Sequence, residues 1–399
     1  MKILHINNFH HKAGGTEIYI DRVSRQLVNL GHHVSVLYGV PPPFNTEITS
    51  YRGIFVPDIH ISDDYKIIYS TIEIIKNENF DIAYLHNIFN MTLIEKVLKI
   101  MPTLKFVHDH SFYCPGGAKY LSAVKRICPF PYHPLRCFLM AYLTNCVSRH
   151  PIRLVKRIFQ CGNILSLRED FDGIVVFSQV MKKYLNDNKI NNKEIAVMSY
   201  FPGLISLRAK KRDTSMLLYV GRISREKGVN YLLRAVSGLE IDCKLVIVGD
   251  GYYLPYIKKL ADRLGIAKRI EFTGWLTENE LNYYYNVASV LVFPSLWPEP
   301  FGISGIEAMA HGLPVIAFNS GAVSEWLIEK ETGFLVETGD IIGMRKKIKL
   351  LLQDTQLASD MGAKGKMRVE KYFTIESHVS HLLTVTSKAM KRYYTRMEN

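Results

Sequence analysis

Residues 299–316 read EPFGISGIEAMAHGLPVI, after the apolar run Val287–Phe293 and a Pro-rich, aromatic loop, PSLWP. The stretch sets Glu299 and Glu307 eight positions apart, around a Phe301-Gly302 turn and the start of a helix. Gly302 lets the backbone approach a ligand closely. The amides of Ile303, Ser304 and Gly305 at the helix start form a ready anion site. Glu307 lies about one turn into the helix, and Glu299 on the loop before it. A ligand with phosphate in its middle and hydroxyls at both ends fits this layout, and a nucleoside diphosphate sugar has that form. By spacing alone, the two carboxylates also suit a helix whose positive end they simply complement. The loop's place beyond the carboxyl end of a strand, where open α/β sheets bind ligands, favours the site.

Working outward, the same grammar of strand, loop and helix runs along the chain. Lys2–Asn7 reads as a buried strand, Ile18–Leu30 as an amphipathic helix ended by Gly31, and HHVSVLY as the next strand. This βαβ start predicts a parallel sheet with right-handed crossovers. Ile82–Leu85, Leu104–Val107, Gly173–Phe177 and Ile195–Met198 are further strand candidates. After a polar, basic stretch around RAKKRD the pattern restarts with LLYVGRIS, CKLVIVGDG, EFTGWL, SVLVFPS and PVIAFNS. The expected architecture is α/β: two Rossmann-like domains with parallel sheets facing a central cleft. The first spans 1–202 and includes an insert at 111–168. Residues 203–215 form a linker, 216–375 the second domain, and 376–399 a final helix.

Two more loops carry chemistry. Gly14-Gly15-Thr16-Glu17 joins the first strand to the first helix, where two glycines allow a tight turn and the helix start offers amides, although a plain βα turn needs no more. GRISREKG places Gly221, Arg222 and Lys227 after the first strand of the second half. An Arg and a Lys five positions apart can face one diphosphate, Arg as a bidentate fork and Lys as a point charge. Fixed cations there stabilise charge developing on a departing phosphate.

With these residues in view, the chain resembles the retaining glycosyltransferases of family 4. EPFGISGIEAMAHGLPVI is similar to that family's E-x7-E signature, and G-R-x4-K-G to its phosphate-facing loop. The resemblance implies a GT-B fold whose C-terminal helix crosses back onto the first domain. It implies a nucleotide-sugar donor on the second domain. Glu307 would hold ribose hydroxyls, Glu299 sugar hydroxyls, the amides after Phe301 the sugar and diphosphate, and Arg222 and Lys227 the leaving group. It places Gly14 and Gly15 near the donor phosphates and acceptor. His108, followed by Asp109 after the strand LKFV, would position the donor sugar, and His86 would line the acceptor side with Asp109. The family's favoured account of retention is same-face attack assisted by the leaving phosphate, which requires neither a protein base, a metal nor another cofactor. Asp170-Phe171-Asp172 spells D-x-D, a metal motif in another glycosyltransferase fold, but here it directly precedes the strand GIVVF. Gly274-Trp275-Leu276 lies where the family touches the base.

The net charge of +13 is concentrated: between Cys114 and Arg168 there are nine Lys or Arg and no Asp or Glu. That insert holds Cys114, Cys128, Cys137, Cys146 and Cys161, without the close C-x2-C pair of a standard zinc site, so free thiols are expected. Phe138–Leu143 is apolar, and Arg149, Arg153, Lys156 and Arg157 follow at helical spacings. Two readings of the insert stand: a basic amphipathic surface for an anionic membrane and a lipid-linked acceptor, or a helix whose apolar face docks on its own domain. No run reaches the ~18 apolar residues of a membrane span, and no signal peptide is evident. The expected place is the cytoplasm, peripheral on the membrane's inner face.

The expected function is transfer of a sugar, from a UDP-sugar above all, to a hydroxyl of a glycan or lipid-linked acceptor in cell-envelope polysaccharide or lipopolysaccharide synthesis. Nucleic acid is not an expected partner. A nucleotide-sugar epimerase of the same fold is the first alternative, and the paired motifs argue against it. A non-catalytic membrane or nucleic-acid adaptor is the second, and the intact Glu299, Glu307, Arg222 and Lys227 argue against that.

Overall fold

The computed structural model describes residues 1–10, 14–41, 50–59, 64–190, 195–203 and 212–398. The chain divides into two units. One comprises Met1–Gly117, Pro129–Ser199 and Ile375–Asn399; the other comprises Ala118–Cys128 and Tyr200–Thr374.

The first unit is built on β1 (Lys2–Ile6), β2 (His33–Tyr38), β3 (Arg52–Phe55), β4 (Ile82–Leu85) and β5 (Thr103–Val107). A small antiparallel hairpin, β6 (Tyr120–Leu121) and β7 (Arg126–Ile127), interrupts the series before β8 (Gly173–Val176) and β9 (Ile195–Val197). The seven sheet strands are all parallel, in the order β3-β2-β1-β4-β5-β8-β9. A parallel sheet covered on both faces requires strands apolar throughout, and β4 (IAYL) and β8 (GIVV) are buried at every position. Because β2 and β4 flank β1 on opposite sides, the winding reverses between β1 and β4. Ligands collect at such a switch point, beyond the strands' carboxyl ends.

The C-terminal helix Ile375–Glu398 belongs to this unit. Thr386 on it shares a 2.5 Å hydrogen bond with the Tyr84 hydroxyl, and Tyr393 donates to the Lys99 carbonyl at 3.1 Å. Arg396 reaches Asp172 at 3.2 Å. The Asp172 carboxylate also accepts from the Thr103 amide at 2.8 Å. The second carboxylate of the D-x-D run thus staples the helix and β5 to the rest of the unit.

In the second unit β10 (Met216–Val220), β11 (Lys244–Val248), β12 (Ile270–Gly274), β13 (Val290–Phe293), β14 (Val315–Phe318) and β15 (Gly333–Val336) form a parallel sheet. Its order, β12-β11-β10-β13-β14-β15, repeats the winding of the first and puts the switch point between β10 and β13.

Three features depart from the sequence reading. The insert is not wholly part of the first unit: its hairpin segment, Ala118–Cys128, lies with the second, where Tyr120 joins a core containing Tyr219, Ile223, Leu296 and Trp297. Of the expected linker, residues 204–211 lie outside the described residues, and its end is pinned. Arg212 donates to the carbonyls of Ala288 at 2.8 Å and His311 at 2.6 Å. The helix Pro151–Ser166 docks only part of its apolar surface on its own unit: it buries Leu154, Ile158, Cys161 and Ile164, while Ile152, Val155 and Phe159 stay exposed.

Candidate functional site

The loops following β10 and β13, on either side of the second unit's switch point, carry most of the predicted donor residues. They are locked to each other. The Leu296 amide donates to the Glu226 carbonyl at 2.8 Å. Gly228, with φ of 69°, lies so near the second loop that a Cβ there would stand 1.9 Å from the Pro294 oxygen. Only glycine serves at a left-handed position with no room for a side chain.

Across this junction Lys227 Nζ donates to Glu299 Oε1 at 2.6 Å, and the Ser295 hydroxyl donates to the same oxygen. The Glu299 side chain is 4% exposed and that of Lys227 16%. Lys227 also lies 4.8 Å from the Trp297 ring centre. The two residues assigned separately to sugar and diphosphate are therefore one buried ion pair. Arg222, by contrast, is exposed, and its guanidinium has no hydrogen-bonding or ionic partner among the described residues. Gly221 precedes it at φ of 155°.

Gly302, at φ of 112°, caps the helix Ile303–Ala310. Trp326 holds this turn: its Nε1 donates to the Phe301 carbonyl at 2.6 Å, and its ring leaves a Cβ on Gly302 only 3.2 Å. The first amides of that helix, at Ile303 and Ser304, have no intrahelical acceptor. One turn on, Glu307 is half-buried and accepts from the Tyr285 hydroxyl at 3.2 Å. The two loops carry a helix start, an exposed guanidinium and a carboxylate–ammonium pair, groups that each suit part of a polyhydroxylated anion. Ser295, Trp326 and Tyr285 were not foreseen. Ser295 stands in the quoted PSLWPE loop, whereas nothing local marks the other two.

In the first unit Gly14 is extended at φ of −173° and precedes the helix Gly15–Asn29. Thr16 accepts from the Asn87 side chain at 3.0 Å, and Glu17 from Asn7 at 3.0 Å. The start of this helix is thereby tied to the loops after β1 and β4. Residues 11–13 lie outside the described residues.

Three histidines from adjacent strand positions form a chain. His5 Nδ1 lies 2.8 Å from His86 Nε2, and His86 Nδ1 2.8 Å from His108 Nε2. Burial pushes the His5 imidazole down to about 3 and holds His86 and His108 well below the usual range, so all three are neutral. His86 has no exposed surface and both ring nitrogens are engaged. Its assignment to the acceptor side is corrected: it orients His108 from within the core. His108 is 7% exposed and stacks on Phe177. Asp109 caps the turn His110–Phe112 by accepting from the Ser111 amide at 2.8 Å. Lys105, buried beneath, donates to the His86 carbonyl, and burial lowers it to about 7. Among the described residues no cluster of three or more His, Cys, Asp or Glu has a metal-holding arrangement.

Two doubly wound parallel units in one chain are the architecture of the GT-B fold. Comparison with known proteins agrees. Residues 13–199 match the description "Glycosyltransferase Family 4" and residues 207–368 "Glycosyl transferases group 1". The chain is 27% identical to an uncharacterized glycosyltransferase of Methanocaldococcus jannaschii over 81% of each chain. It is 32% identical to a GDP-mannose-dependent alpha-(1-6)-phosphatidylinositol monomannoside mannosyltransferase of Mycolicibacterium smegmatis, over 39% of this chain and 43% of that one. Among solved structures, Anabaena HepE in complex with UDP-glucose superposes with a TM-score of 0.72 at 16% identity, over 97% of this chain and 99% of that one. The chain belongs to glycosyltransferase family 4 and is a glycosyltransferase.

Proposed function

We propose that this chain is a retaining transferase that moves a sugar from a UDP-sugar to a hydroxyl of a lipid-linked or glycan acceptor in cell-envelope assembly. The observation that carries the donor side is the Lys227–Glu299 pair beside the exposed Arg222 and the Gly302 helix start. The diphosphate takes Lys227 and Arg222, the sugar hydroxyls take Glu299, and the ribose takes Glu307. The bond from the anomeric carbon to the distal phosphate breaks. The acceptor oxygen joins that carbon on the same face, and its proton passes to the departing phosphate. The side chains neutralise charge, so the step requires neither a metal nor a protein base. A UDP-glucose complex of one structural neighbour supports uracil, and a GDP-mannose-dependent relative makes guanine the competitor.

The acceptor side belongs to the first unit, with its insert on an anionic membrane. On the helix Pro134–Thr144, Leu135, Leu139 and Leu143 are 63%, 53% and 72% exposed along one stripe. The exposed Arg149, Arg153 and Lys156 stand on or beside the neighbouring helix. Charge complementarity selects an anionic lipid surface, at roughly 1 kcal/mol per well-placed basic residue.

Turnover of a panel of UDP- and GDP-sugars, with the anomeric configuration of the product read by NMR, tests the chemistry. An inverted product sinks the retaining assignment, and full turnover by Arg222→Ala sinks the leaving-group role. Flotation with neutral and anionic vesicles tests the membrane face; absence of any binding to anionic vesicles removes it.

A further inference from the structure

A cavity of about 240 Å³ opens in the first unit, lined by Asn8, Ser111, Cys114, Arg157 and Gln160 among others. Its floor is the switch point itself: Asn8 follows β1, Phe89 follows β4 and Ser111 follows β5. Its outer wall is the insert helix Pro151–Ser166. At ~30 Å³ per water the space of about 240 Å³ holds about eight waters, enough for a phosphate and one sugar ring.

Four of the eight lining residues are polar, and Arg157 among them is exposed. Arg157, Gln160 and the Ser111 hydroxyl have no side-chain partner among the described residues. Asn8 Oδ1 is buried and accepts no hydrogen bond. A buried acceptor left open is costly, and native structures normally fill one with a ligand or water. No acidic residue lines the cavity, and the insert contributes none between Cys114 and Arg168.

We infer that this cavity is a subsite for the phosphate ester of a phosphorylated sugar, the head of the acceptor. Arg157 forks onto the phosphate, supported by Ser111 and Gln160, and Asn8 accepts from a sugar hydroxyl. The assignment deepens the transferase reading and rests on it. It adds that the insert supplies an anion reader to the switch point as well as an outer surface. Arg157 points the same chemistry at a lipid-linked or a soluble sugar phosphate.

The test measures binding of glucose 1-phosphate and of free glucose by calorimetry, with UDP saturating so that the second unit's phosphate site is filled. The sugar phosphate is expected to bind at least ~10-fold tighter than glucose, as charge-assisted hydrogen bonds imply. Arg157→Ala is expected to weaken it ~10- to 100-fold, Arg157→Lys less, and Asn8→Asp to weaken it by repulsion, all with UDP affinity unchanged. Equal binding of phosphate and free sugar, or no effect of Arg157→Ala, overturns the subsite. Flotation with phosphatidylcholine vesicles carrying an isoprenyl-phosphate sugar identifies the source. Arg157-dependent capture supports a lipid-linked acceptor, and binding of the soluble phosphate alone supports a soluble one. If UDP fails to bind, the transferase reading has failed, and titration of glucose 1-phosphate without UDP still decides the cavity.

Discussion

Replacing Lys227 by alanine should destabilise the second unit as well as slow turnover. The substitution strands a carboxylate that is 4% exposed and was held at 2.6 Å. Removing one partner of a buried pair costs about 3–5 kcal/mol. The Ser295 hydroxyl remains on Glu299 and retains about 1 kcal/mol, which favours the lower end, about 3 kcal/mol. For a unit of this size that is roughly 6–12 °C in melting temperature, at ~2–4 °C per kcal/mol. Combining Lys227→Ala with Glu299→Gln removes the stranded charge, so the double variant should lose only about 1 kcal/mol, about 2 kcal/mol less than the single variant. Urea unfolding followed by tryptophan fluorescence isolates the effect, because Trp275, Trp297 and Trp326 all lie in the second unit. If Lys227→Ala leaves the urea midpoint unmoved, or if the double variant is as unstable as the single, the pair is not formed in solution.

The first unit should be acid-labile. Burial holds His5 at about 3 and His378 at about 4, with His86 and His108 well below the usual value. The unfolded chain therefore binds more protons below pH 6.5, and stability present above that pH is lost as it falls towards 4, by up to about 1.4 kcal/mol per pH unit per histidine. Circular dichroism against urea at stepped pH reads the slope, and an unchanged slope in His86→Phe contradicts the account. Gly302→Ala places a side chain at φ of 112° and 3.2 Å from Trp326; a loss of about 1–3 kcal/mol and weaker UDP binding are expected, whereas wild-type UDP affinity by calorimetry refutes the turn's role. Asp172→Ala should lower the melting temperature through the lost Thr103 and Arg396 contacts while activity stays insensitive to EDTA; loss of metal-dependent turnover with unchanged melting would instead make the D-x-D run a metal site.

The sheets were legible because parallel strands buried on both faces appear as apolar runs, as in VLVF after Ser289 or GIVVF after Asp172. The strand β3, RGIF at the sheet edge, is exposed at three of four positions and shows no such run. Glu299, Glu307, Arg222 and Lys227 were legible as residues, but their pairing was not. Lys227 and Glu299 are 72 positions apart, and only the adjacency of β10 and β13 brings their loops together. His86 was misread for the same reason. A histidine after a strand looks alike in sequence whether it faces solvent or stacks between two others. The hairpin's strands have two residues each, too few for any period to register.

That hairpin gives the chain four passages between its units: at 117–118, 128–129, 199–200 and 374–375. The two halves are consequently not interchangeable cassettes. A chimera joined only at the linker would graft an unmatched Tyr120 hairpin onto a foreign second unit, and leave the C-terminal helix with the wrong partner for Tyr84. Recombination with a relative that preserves both cores must carry residues 118–128 with the second unit and the last helix with the first.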